Sequence, residues 1–325
     1  MGPQCPQREV VDVSHEPFNP TLDDAREIAT GLLGEPVDSV SHPEETRFGD
    51  ASHRFRVRAG GEDLLLKINK RPGQPVGAWY HGKLVEAGIP VPGMPAWSPD
   101  AAPGGRACAL YEWVEGMPVD FRPEDPPPYD VAQMGAIVRA IHDITHRDGY
   151  GHLDDYGSGE CATWAEGLLS TWNIGPCLQR GAIHHGMATR LRRLPHLFAD
   201  ELDAARTGLL HYEDIMFSGQ VMVDDAGSIV AVVDFAGAMA GDPMWELAVF
   251  DYYFGEFGYY QTTDRSFDLG RFREAYAIQY DRQAPLQKLY VIGMLLEKLG
   301  FVALDSPRGV HHRQMLAELL AELED

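Results

Sequence analysis

Residues 209–248 read LLHYEDIMFSGQVMVDDAGSIVAVVDFAGAMAGDPMWELA, and their pattern decides the fold. A β-branched and aliphatic run (Ile229, Val230, Val232, Val233) ends in Asp234-Phe235-Ala236. Upstream, an apolar segment ending at His211 runs into an acidic turn, Glu213-Asp214. Between them, VMVDDAGSI carries two short strand patterns around an Asp-Ala-Gly turn, which predicts a hairpin. A carboxylate at the end of a buried strand must be paired, metal-bound or hydrogen-bonded to offset its desolvation. Acidic groups on either side of one hairpin suit phosphoryl transfer. One carboxylate takes the proton of a substrate hydroxyl and the other holds the Mg²⁺ that neutralises the phosphates.

The same stretch resembles the catalytic core of the aminoglycoside phosphotransferases and their choline-kinase-like relatives, which share the protein-kinase fold. Their pattern is H-G-D-x-x-x-x-N, a hairpin, I-D-F/W, then G-D-P-x-x-D/E-L-A. VVDFAGAMAGDPMWELA fits the second half closely, and HYEDIMFSGQ departs from the first. The resemblance covers most of the chain. It implies an α+β, two-lobe protein-kinase-like fold with a small β-rich N-lobe and a larger helical C-lobe. It also implies ATP (or GTP) with Mg²⁺, and a hydroxyl of a small molecule as acceptor.

The order of local patterns agrees. Residues 21–34 (TLDDAREIATGLLG) predict a short helix with Thr21 as N-cap. FRVRA (55–59) and DLLLKI (63–68), joined by Gly60-Gly61, predict a hairpin. Residues 76–88 have helical spacing and stop at Gly88, and ACALYEWVEGMP (107–118) reads as a buried strand leading into a turn. From Tyr129 onward the pattern is helical, with Val131, Met134, Ile137, Val138 and Ile141 on one face. Helices are also expected at 162–172, 190–205, 267–279 and 285–301. The lobe boundary is placed near residue 117, giving 1–117 for nucleotide binding and 118–325 for catalysis and substrate binding.

Asp234 is the strongest candidate, as a metal ligand. Lys67 ends LLLK, where the resemblance implies a lysine on the α/β phosphates; a solvated edge charge is the alternative. The turn over the nucleotide is sought in RFGDASHRF, where Gly49 and Ser52 offer backbone and hydroxyl contacts, although a plain β-turn explains it equally. Backbone groups around Trp113 and Val114 are expected to hold adenine. The glutamate that usually holds the kinase lysine is missing, since its family position falls on Gly77 and Glu86 faces solvent. Either another acid substitutes, or phosphate alone holds the lysine. Strict spacing from His211 makes Glu213 the catalytic base and Ser218 the second metal position. A loop longer by one residue makes them Asp214 and Gln220, the preferred register, because an amide oxygen is the better Mg²⁺ ligand. A third reading is a site that has lost phosphoryl transfer. Asp242 and Glu246 are assigned to bracing the catalytic loop, and His211 to a backbone bond in the core.

Composition narrows the partners. Lysine plus arginine number 27 against 49 acids, a formal charge of −22, which disfavours nucleic acid and anionic membranes. Such a surface attracts a cationic small molecule such as an aminoglycoside, or simply confers solubility. Asp251 and Glu256, in the aromatic-rich DYYFGEFGYYQTTD, are the candidate substrate acids. Four cysteines without CxxC spacing argue against structural zinc and a disulfide scaffold and suit a reducing cytoplasm, and surface placement is expected for the His184-His185 and His311-His312 pairs. An antibiotic resistance or self-protection kinase is the leading use; a metabolic small-molecule kinase and a kinase-fold binding protein are the alternatives.

Overall fold

The computed structural model describes residues 18–43, 51–120, 129–211, 218–254, 268–277 and 284–324. Helix α1 (Leu22–Leu33) starts at a capping box: the Thr21 hydroxyl accepts from the Asp24 N–H, and the Asp24 carboxylate accepts from the Thr21 N–H at 2.7 Å. Gly34 ends it in the left-handed conformation. Five antiparallel strands follow, β1 (Ser39–Ser41), β2 (Ser52–Ala59), β3 (Glu62–Asn69), β4 (Ala96–Ala102) and β5 (Arg106–Glu112), in the order β1-β2-β3-β5-β4. The Gly60-Gly61 turn joins β2 to β3 with both φ angles positive, at 57° and 88°, as a two-residue hairpin turn requires. Helix α2 (Ala78–Glu86) lies between β3 and β4 in sequence.

The two faces of this sheet serve different cores. Phe55, Val57, Leu64, Leu66, Ile68, Cys108 and Leu110 pack with Ala25, Ile28 and Ala29 of α1 in a small cluster of their own. Ala107, Ala109 and Tyr111 alternate with them along β5 and join a much larger cluster, which also takes Val76, Tyr80 and Leu84 from the α2 region.

Beyond Gly116 the chain enters that larger body. Strand β6 (Met117–Asp120) forms the three-stranded sheet β11-β10-β6 with β10 (Ser218–Val223) and β11 (Ile229–Val232). Helix α3 (Val131–His142), capped by Asp130, buries Met134, Ile137, Val138 and Ile141. A four-stranded sheet, in the order β8-β7-β12-β9, comprises β7 (Tyr150–Leu153), β8 (Gly159–Cys161), β9 (Gly208–Leu210) and β12 (Met239–Gly241). Around these lie α4 (Trp164–Thr171), α5 (Ile174–Gln179), α6 (His185–Leu197), α7 (Ala199–Ala204), α8 (Pro243–Phe254), α9 (Leu269–Tyr276), α10 (Pro285–Leu299) and α11 (Pro307–Glu322). Helix α10 is buried around most of its circumference and forms the spine of this body. A β-sheet-rich front and a helical back give the α+β kinase-like architecture expected from sequence.

Candidate active site

Lys67 lies between two fully buried neighbours, Leu66 and Ile68, so strand alternation turns its side chain to the opposite face of β3. There its Nζ donates to Asp234 Oδ1 at 2.7 Å, across 167 residues of sequence. Asp234 follows β11 at φ 68° and ψ 72°, a left-handed conformation uncommon for any residue except glycine, asparagine and aspartate. Such strain persists only where the surroundings enforce it, and it concentrates at functional sites. The surroundings are visible on both sides. The Val233 N–H donates to the Gln220 carbonyl at 2.8 Å, His211 Nε2 meets the Val233 carbonyl at 3.0 Å, and Phe235 is buried against Tyr80, His81 and Tyr111. The Lys67 ammonium, opposed by burial and assisted by Arg54, holds the Asp234 carboxyl down to about 2. The carboxylate is therefore ionised at neutral pH, and 40% of the side chain remains accessible to solvent. An ionised oxygen donor open to solvent fits Mg²⁺, which takes one or two carboxylates plus waters and phosphate rather than a full protein cage. Among the described residues there is no cluster of three or more His, Cys, Asp or Glu able to hold a metal.

The question left by the missing glutamate has a structural answer. Glu86 is exposed and pairs with Lys83, and Gly77 forms the N-cap of α2 at φ 77°. A Cβ at Gly77 would lie 2.2 Å from the Phe235 carbonyl oxygen, so the position has no room for any side chain. The acid that pairs with Lys67 is Asp234 itself. Arg54 stands directly opposite Lys67 in the β2–β3 register, a second cation at this face that no motif in the sequence marks.

Glu246 and His211 occupy the bracing roles expected of them. Glu246, 1% exposed, accepts from the His211 backbone N–H at 3.2 Å and from His142 Nε2 at 2.7 Å. His142 Nδ1 in turn contacts the Tyr276 hydroxyl at 2.7 Å. Because a carbonyl can only accept, His211 carries its proton on Nε2 toward Val233, and its Nδ1 accepts from the Tyr80 hydroxyl at 3.0 Å. Burial lowers the His211 pKa, which keeps the ring neutral. Asp242 accepts from the Met244 N–H and the Tyr290 hydroxyl, and burial raises its carboxyl.

The remaining candidates divide. Ser52 opens β2, half-buried opposite Asn69. The Trp113 N–H already donates to the Asp63 carbonyl at 3.0 Å, and the Arg56 guanidinium lies over one face of the Trp113 ring at 4.5 Å. Val114 follows, half-buried. Gln220 is half-buried on β10 beside Val233, and Ser218 begins the same strand. Asp251 lies on α8, and its side chain is not described. Gly49, Glu213, Asp214 and Glu256 lie outside the described residues. His312 is not at the surface, as expected, but 2% exposed, with its Nε2 against the Tyr252 hydroxyl at 2.7 Å. Helical spacing from Met315 and Leu316 turns it inward, a signal that reading the two histidines as a pair obscures. Among the described residues, no helix is long and apolar enough to cross a membrane.

Residues 44–288 match the phosphotransferase enzyme family, APH. The chain belongs to that family. A hygromycin-B 4-O-kinase of Escherichia coli is 23% identical over 227 residues, which span 67% of this chain and 64% of that relative's length. Among solved structures, a thermostable mutant of aminoglycoside phosphotransferase APH(4)-Ia in ternary complex with ADP and hygromycin B superposes with a TM-score of 0.61 at 17% identity, over 92% of this chain and 98% of that one. A fructosamine-3-kinase homologue from Thermobifida fusca gives 0.58 at 19% identity, over 94% of this chain and 99% of that one. At such identities these structures share the fold, which is the protein-kinase-like fold of the APH family.

Proposed function

We propose that the chain transfers the γ-phosphate of ATP to a hydroxyl of a cationic, aminoglycoside-like small molecule. The observation that carries this is the Lys67–Asp234 pair: a half-buried lysine and an ionised, left-handed aspartate brought together across 167 residues in a member of a phosphotransferase family. Asp234, with Gln220 beside it, would hold Mg²⁺, which when bound draws charge from the β and γ phosphates. Lys67 exchanges its bond to Asp234 for the phosphates as nucleotide enters, and Arg54 adds a second positive charge at that end. With the Trp113 N–H committed to Asp63, the base falls to the Trp113 carbonyl and the Val114 N–H. Asp214 is proposed to orient and deprotonate the acceptor hydroxyl, with Glu213 the alternative base. Residues 1–117 and 118–325 act as the nucleotide and acceptor lobes, with the hinge at residues 113–116.

The −22 charge and the hygromycin-B kinase relative support a cationic antibiotic as acceptor. The similar likeness to a fructosamine-3-kinase homologue supports a second reading, phosphorylation of an amine-bearing sugar in metabolism. Assaying ATP consumption against hygromycin B, other aminoglycosides and fructosamines separates the two. In the same assay Asp234→Asn should abolish turnover while the unfolding temperature stays near wild type. Retention of more than about a tenth of the rate removes Asp234 from the mechanism.

A further inference from the structure

Asp155 lies in the turn between β7 and β8, only 7% exposed, and it reaches across to the start of α2. Its Oδ1 accepts from the backbone N–H of Val76 at 3.0 Å, Gly77 at 2.7 Å and Ala78 at 3.0 Å, and its Oδ2 lies 3.2 Å from the Val76 nitrogen. Those of Gly77 and Ala78, the N-cap and first residue of α2, are donors that a helix N-terminus leaves unsatisfied, and the helix dipole favours a negative charge there. No ion pair joins Asp155 among the described residues, so these backbone bonds are what compensate its burial.

The segment Asp155 grips is held from other sides as well. The Tyr111 hydroxyl donates to the Val76 carbonyl at 3.2 Å, and Asn69 Nδ2 donates to the Gln74 and Pro75 carbonyls at 2.8 and 3.1 Å. Gly77, the central residue of the grip, lies against the Phe235 backbone with no space for a Cβ. Phe235 immediately follows Asp234. An unbroken mechanical path therefore runs from the Asp155 carboxylate through Gly77 and Phe235 to Asp234. In a kinase that joins its helix to the active-site lysine by a Lys–Glu pair, the lysine does this work. Here the helix has no such acid, and the connection is made through backbone.

We propose that Asp155 is a positioning residue for the metal site: by clamping residues 76–78 against Phe235 it keeps Asp234 in the left-handed conformation that presents its carboxylate to Lys67 and to metal. This rests on the reading of Asp234 as the metal ligand. The charge matters as well as the geometry, because three converging N–H dipoles are matched by a carboxylate better than by an amide.

The test uses the full chain with AMP-PNP and Mn²⁺ as the probe, free Mn²⁺ being counted by electron paramagnetic resonance at a temperature below unfolding. Asp155→Ala should weaken Mn²⁺ binding to the nucleotide complex by about tenfold or more, as losses of groups that orient metal ligands do. Asp155→Asn, which keeps Oδ1 but loses the charge, should recover most of that affinity while remaining a few-fold weaker than wild type. Leu84→Ala, which empties the core face of the same helix without touching the turn, should lower the unfolding temperature and leave Mn²⁺ affinity in place. Asp155 variants that bind Mn²⁺ as wild type does, while Asp234→Asn does not, overturn the positioning role and leave the kinase reading standing. Equal losses in Leu84→Ala and Asp155→Ala also overturn it, since any loosening of α2 would then suffice. If Asp155→Ala does not fold, Asp155→Asn decides alone, and wild-type affinity in it overturns the role. A wild-type chain that takes up no Mn²⁺ with AMP-PNP overturns both readings.

Discussion

Lys67→Met tests the pair at the centre of the site. Methionine keeps the length and most of the packing of the lysine stem and removes the ammonium. The carboxyl of Asp234 is held at about 2 against an ordinary 3.8, chiefly by that ammonium. At about 1.4 kcal/mol per tenfold change in proton affinity, the depression has a ceiling of about 2.5 kcal/mol. With 40% of the Asp234 side chain in solvent, screening reduces this to about 1 kcal/mol. The sign follows from the depressed folded-state value. Wild type gains this stability in full above the unfolded carboxyl's range near 3.8 and loses it as pH falls toward 2. Urea titrations of both proteins from pH 7 down to pH 3 should show the variant less stable by about 1 kcal/mol at pH 7, with the gap narrowing below about pH 4. At saturating acceptor, the KM for ATP should rise as well. A stability gap that stays constant from pH 7 to pH 3 refutes the argument, because the loss would then be one of packing and not of charge.

Three further outcomes test the turn at Gly77, the choice of base and the acidic surface. Gly77→Ala should lose about 2–5 kcal/mol in urea unfolding, combining a left-handed alanine with overpacking on Phe235, and wild-type stability would mean that the turn yields freely. If Asp214 is the base, Asp214→Ala should lower kcat by about a hundredfold and Glu213→Ala much less, whereas the reverse order restores the strict family spacing and turns attention to Ser218. If the acidic surface captures a cation, added salt should raise the acceptor KM steeply with little change in kcat, and a KM indifferent to salt points to a neutral acceptor.

What the sequence made legible was local. The β10–β11 hairpin, the N-cap at Thr21, the apolar face of α3 and the bracing acid Glu246 all rest on signals within a few residues of one another, whereas Asp242, expected to brace the same loop, bonds instead to the Met244 N–H and the Tyr290 hydroxyl. The partner of Lys67 could not be read this way, because it lies 167 residues off and the expected helix acid had become glycine. Asp155 and His142 are likewise ordinary in sequence and become meaningful only against residues 76–78 and Glu246. Strand β4 escapes detection because Pro99 interrupts it, which an edge strand with a shifted register tolerates. The strands of the four-stranded sheet are three or four residues long, too short to establish a period. Helix α11 lies beyond the helices expected from sequence, although Ser306 caps it and Pro307 stands at its first position.

The division of the sheet between two cores has a consequence for how the chain is made. Among the described residues, the small core draws on residues 18–110, so it can close soon after β5 leaves the ribosome. Helix α2, although synthesised before β5, contributes Tyr80 and Leu84 to the other core, which reaches as far as Leu320. Phe235, which Gly77 touches, follows Leu84 by about 150 residues, or roughly 8–30 s of synthesis. For that interval α2 exposes an apolar face beside an already folded sheet. Nascent chains arrested between residues 120 and 230 should therefore present this helix to chaperones and proteases, and chains released beyond residue 320 should not.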